Sequence, residues 1–113
     1  MTLADLKARI ASVMHRNDMT NNIPNRIADA TERINRRFGI ALVNPVVDAD
    51  PLPAPDLLYL YASLVSGYEH LNNGDNARYY AERWELEADR EVVLNPGGVT
   101  DNYAAEPPAI IGA

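Results

Sequence analysis

A chain of 113 residues and 12.5 kDa has room for one domain, and 47% hydrophobic against 23% charged residues is a globular balance rather than a disordered one. The lack of Cys excludes a disulfide scaffold, a Cys-ligated zinc and a thiol nucleophile. The net charge of −6 is unevenly divided: residues 1–47 carry seven basic and four acidic side chains, net +3, whereas residues 48–113 carry three and twelve, net −9.

From Thr2, apolar residues recur at Leu3, Leu6, Ile10, Val13 and Met14, the spacing of one helix face, and Thr2-x-x-Asp5 offers a capping box at its start. Asn17-Asp18 is the expected stop. The sequence is amphipathic here rather than a charged segment followed by a pure apolar run, so no signal peptide is expected. A second helix follows Thr20-Asn21-Asn22, with Pro24 in its first turn and Ile23, Ile27, Ala30, Ile34 and Phe38 on one face. Gly39 should end it. Its other face holds Arg26, Asp29, Arg33, Arg36 and Arg37, expected in solvent or against a partner.

Between Gly39 and Pro55 lie Pro45, Pro51, Pro53 and Pro55, which fix φ and remove donors, so this stretch is neither helix nor central strand. It reads as an ordered extended crossing, packed through Ile40, Leu42, Val43, Val46 and Val47. A short edge strand is compatible with it. A third helix, about 56–72, carries Leu57, Leu58, Leu60, Leu64 and Val65 around most of its circumference and must therefore be central. Its longest apolar run, Leu57 to Tyr68, is far short of the roughly 20 residues that span a bilayer, so a soluble protein is expected.

Asn72-Asn73-Gly74-Asp75 reads as a tight turn with Gly74 at positive φ and Asp75 or Asn76 as cap, making a long αα-hairpin with a fourth helix over about 75–92. That helix should bury Ala77, Ala81, Trp84 and Ala88. Tyr79, Leu86 and Val93, at steps of seven, form a second apolar line on another face, as a contact with another subunit would need. Of the tyrosines, Tyr61, Tyr68 and Tyr80 read as core, and Tyr59 and Tyr79 as interface residues. Asn95-Pro96-Gly97-Gly98 breaks the pattern. Residues 94–113, with Pro107-Pro108 and the apolar anchors Tyr103, Ile110 and Ile111, have no period and read as an extended tail made to lie on another surface. The fold expected is all-α: a small four-helix bundle over residues 1–93, followed by that tail.

Little of this points to catalysis. His15 and His70 stand alone near helix ends, without metal-ligand spacing, and no phosphate-binding or nucleophile-elbow motif is present. No catalytic residue, metal or cofactor is expected. The acidic series Glu82, Glu85, Glu87, Asp89 and Glu91 is interleaved with Arg78, Arg83 and Arg90, and Arg78 to Glu82 has ion-pair spacing, which favours a solvated, salt-bridged surface. The Arg33-Arg36-Arg37 cluster supports an alternative reading, a small helical DNA-binding or regulatory module, against which stands a pI near 4.7.

The opening TLADLKARIASVMHRNDMTNNIPNRIADATERINRRFG resembles the start of tailed-bacteriophage head-tail adaptor (connector, or head completion) proteins. The points of likeness are an amphipathic helix, an R-x-D-x-T turn from Arg16 to Thr20, I-P-x-x-I at Ile23, Pro24 and Ile27, and R-I-N-R from Arg33 to Arg36. The segment LLYLYASLVSGYEHLNNGDNARYYAERWELEADREV is similar to the paired long helices of that family. Many members carry a longer, strand-containing insertion where this chain has the Pro-rich crossing. The resemblance implies a structural protein that forms a ring of twelve copies beneath the portal, in the virion neck, after synthesis in the bacterial host cytoplasm. Its partners would be the portal protein, a tail or stopper/nozzle protein and, transiently and non-specifically, the genomic DNA in the channel, with no membrane. It places Tyr103, Pro107, Pro108, Ile110 and Ile111 in portal docking. The subunit interface would comprise Tyr79, Leu86 and Val93 with Arg33, Arg36 and Arg37, and the acidic fourth helix is the candidate for the channel wall.

Overall fold

The computed structural model describes residues 1–15 and 22–94. These form a small four-helix bundle, α1 (Leu3–Met14), α2 (Ile23–Phe38), α3 (Asp56–His70) and α4 (Gly74–Leu94), with no strand among the described residues. The expected stop at Asn17-Asp18, the Arg16 to Thr20 turn, the Asn95-to-Gly98 break and the tail with Tyr103, Pro107, Pro108, Ile110 and Ile111 lie outside them.

Each described helix end has a local cause. Thr2 and Asp5 close a reciprocal capping box, and the exposed Asp5 carboxyl, accepting from the Thr2 N–H, is held below its usual pKa. α1 ends three residues before Asn17, because His15 takes the left-handed conformation (φ 53°) and returns its N–H to the Ala11 carbonyl. α2 opens with Pro24 in its first turn and ends at Gly39, whose φ of 66° suits a residue without Cβ. In the α3–α4 turn the positive φ falls on Asn72 rather than Gly74, which is already the first residue of α4. The cap is Asn73, two residues before Asp75: its Oδ1 accepts the Asn76 N–H at 3.2 Å, leaving Asp75 and Asn76 inside the first turn.

α3 is central, as its all-round apolar surface requires: α1, α2 and α4 all pack on it, and it buries Leu58, Tyr59, Leu60, Leu64 and Val65. Leu57 is the exception, turned to solvent. α4 lies antiparallel against α3 through Ala77, Trp84 and Ala88, with Trp84 Nε1 donating to the Leu58 carbonyl at 3.1 Å. Ala81 and, on α2, Phe38 are only half-buried. A ring cluster near the turn stacks Tyr68 on Tyr80 at 5.8 Å, with Tyr61 tilted against Tyr80 at 5.9 Å; burial is the main cause of a raised Tyr80 pKa.

The crossing is ordered, but its valines do not hold it. Ile40 and Leu42 are half-buried and Leu52 and Ala54 buried, whereas Val43, Val46 and Val47 face outward. Polar bonds do the anchoring. Asn35 clamps Leu42 with both ends of its amide, accepting from the backbone N–H at 2.7 Å and donating to the carbonyl at 3.1 Å. The Asp50 and Asp48 carbonyls accept the otherwise unpaired N–H groups of Leu3 and Ala4 at the start of α1, Lys7 pairs with Asp48 at 2.8 Å, and Thr2 bridges to Pro51.

Candidate functional site

Because α4 rests on α3 through Ala77, Trp84 and Ala88, its opposite face is turned away from the bundle. Tyr79, Leu86 and Val93, seven residues apart and so nearly two turns, come back to that face and are 51%, 64% and 77% exposed. Val92 and Leu94 add exposed apolar surface at the end of the helix. The line has charged margins, Glu82 and Asp89 along one side and Arg83 and Arg90 along the other, again at steps of seven. Tyr79 is held in place by a T-shaped contact with Tyr80 at 4.9 Å and by the Arg83 guanidinium 5.6 Å above its ring. An apolar line of three large side chains, left exposed among the described residues, is suited to protein contact.

The arginines of α2 are arranged differently from one another. Arg37 reaches across to α4, where Nη2 meets Asp89 Oδ1 at 3.0 Å and Nε lies 3.8 Å from Glu85. Arg33 stacks its guanidinium 5.2 Å over the Trp84 ring, and Arg36 stays outward, paired with Glu32 one turn earlier. Arg26 and Asp29, expected in solvent or on a partner, meet α3: Arg26 donates to the Ser66 carbonyl at 3.4 Å, and Ser66 Oγ donates to Asp29 at 2.6 Å. Arg33 and Arg37 border an open groove of about 570 Å³ between α2 and α4, floored by Ala62, Val65 and Trp84. Its charges of both signs largely answer each other, which leaves little net positive field for a phosphate backbone. Of the acidic series on α4, Glu85 and Asp89 thus pair across to α2 whereas Glu87 pairs with Arg90 on its own helix, and Arg78 pairs with Asp75 rather than with Glu82.

Compared with known protein families, with curated proteins and with solved structures, the chain matches none. Its surfaces therefore have to speak for themselves.

Tyr59 is not an interface residue. It is fully buried, its hydroxyl 2.9 Å from Thr31 Oγ1, which also reaches the Ile27 carbonyl and Asn44 Oδ1, so one buried polar cluster ties α2, α3 and the crossing together. Burial pushes the Tyr59 hydroxyl up to about 12. The all-round apolar pattern of α3 was the available signal for this, since a helix packed on by three others buries most of its circumference. The outward valines of the crossing had no such signal: a proline-rich segment has no period from which facing can be read. His15 caps α1 and His70 ends α3; among the described residues there is no group of three or more metal-ligating side chains, and no helix is long and apolar enough to cross a membrane.

Proposed function

We propose that this chain is a structural subunit of a head-tail adaptor in a tailed bacteriophage, assembled as a ring of twelve copies beneath the portal. The observation that carries the reading is the outer face of α4: Tyr79, Leu86 and Val93 are surplus to a core already closed by α3, and such a face is what a subunit in a repeated assembly requires. The resemblance of residues 2–39 and 57–92 to adaptor proteins gives the assembly its identity. In that ring, residues 95–113 dock on the portal through Tyr103, Pro107, Pro108, Ile110 and Ile111, and the opposite end receives the tail or stopper component. The acid excess of residues 48–113 repels the duplex in the channel, so DNA slides through without being held.

The test is attachment. A chain lacking residues 95–113 should keep its helical circular-dichroism spectrum and fail to bind portal-bearing heads. If the truncated chain still joins filled heads to tails, residues 95–113 do not dock on the portal.

A further inference from the structure

We propose that the outer face of α4 in one copy docks on the exposed valines of the crossing, Val43, Val46 and Val47, in a second copy. The proposal rests on the ring reading above and names the two faces that such a ring would join.

The crossing is a second apolar surface left open among the described residues. Val43, Val46 and Val47 are 82%, 76% and 51% exposed, on a segment whose backbone is already latched by Asn35 at Leu42 and by the start of α1 at Asp48 and Asp50. The valines therefore contribute little to holding the segment down, and the latches present them in a fixed arrangement. Preorganised apolar groups bind with less ordering entropy to lose. The two surfaces also lie apart: the crossing packs beside α1 and α2, α4 packs on α3, and α1 and α4 do not meet. A face on one side of α3 and its counterpart on the other make a head-to-tail contact, the kind that propagates around a ring.

Register and charge agree with that pairing. Seven residues of helix separate successive members of the α4 line, about 10 Å at 1.5 Å per residue. Val43 and Val46 are three residues apart, at most about 10 Å along an extended chain. Of the charged margins of α4, Arg83 lies over the Tyr79 ring, and no ion pair joins it to a carboxylate among the described residues. Asp50, exposed three residues beyond Val47, has no cationic partner among them either. Docking the Arg83 and Arg90 side of α4 toward Asp50 pairs these charges while the valines meet Leu86 and its neighbours. Pairing α4 with α4 would cover only one of the two apolar surfaces.

The chain has no Cys, so introduced thiols report contacts without background. Full-length L86C and V46C, both at exposed positions, are prepared separately, mixed and oxidised, and the double variant L86C/V46C is oxidised alone. Light scattering on the unmodified chain, alone and with portal rings, records whether it assembles. The mixture should give a disulfide-linked heterodimer about tenfold above the dimer from either single variant, since contact raises the effective thiol concentration, and the double variant should give a ladder of higher multimers. A Leu86–Leu86 dimer from L86C alone as abundant as the mixed dimer, or assembly without a Leu86–Val46 link, would overturn this contact and leave the ring standing. An unmodified chain that never assembles, even on portal rings, would overturn both.

Discussion

Two buried hydroxyls on α3 behave in opposite ways. Tyr59 shares a hydrogen bond with Thr31, whereas four residues further on Ser63 Oγ is buried with no partner among the described residues. A buried donor without a partner keeps its desolvation penalty, so Ser63→Ala should raise stability by about 1 kcal/mol, read as a higher urea midpoint at unchanged m-value. Tyr59 makes stability depend on alkaline pH. Its folded pKa, raised to about 12 from 10.0, favours the protonated hydroxyl, so its contribution is fully present below pH 10 and is lost as the pH rises toward 12. Tyr59→Phe should therefore flatten the fall in urea midpoint over that window; an unchanged profile in the variant would show that Tyr59 does not govern it. Neither behaviour can be read from composition, since Tyr59 and Tyr79 are alike as residues and differ only in which helix face the fold covers.

At the scale of elements, what could be read ahead of the structure was whatever has a period or a stop. The faces of α1 and α2, the Gly39 terminus and the central place of α3 follow from apolar spacing and from a residue that accepts positive φ. In the α3–α4 turn the positive φ and the cap both lie at least two residues earlier than the spacing predicts, because Asn also tolerates the left-handed region and Asn72 takes it in place of Gly74. The Arg37 pairs with Glu85 and Asp89 were hidden for another reason: they join two helices distant in sequence, Arg37 and Asp89 being 52 residues apart, and spacing on one helix carries no information about a second. Two substitutions probe the elements. Trp84→Ala removes the ring that α4 lays on α3, along with its bond to the Leu58 carbonyl, and should cost about 3–5 kcal/mol in chemical denaturation. Asn35→Ala unlatches the crossing; faster amide exchange at Leu42 is the expected result, with α3 and α4 protection unchanged.

At the scale of the whole fold, the described residues form a closed bundle that leaves two apolar surfaces open, and the arginines among them are mostly engaged with carboxylates and rings of the same chain. Leu86→Asp should leave the unfolding free energy from urea titration within about 0.5 kcal/mol of the unmodified chain, as surface substitutions do, yet lower self-assembly in sedimentation. A nucleic-acid reader would behave otherwise. Tight, salt-sensitive retention of duplex DNA in a gel, weakened by changing Arg33, Arg36 and Arg37, would favour the DNA-binding alternative.

The central claim, that this chain is one unit of a ring on the portal, is tested most directly by mass measurement of the full-length protein mixed with portal rings. The account predicts a discrete complex carrying twelve copies per portal. Portal rings that emerge with no bound copies, or with a single copy, would contradict it.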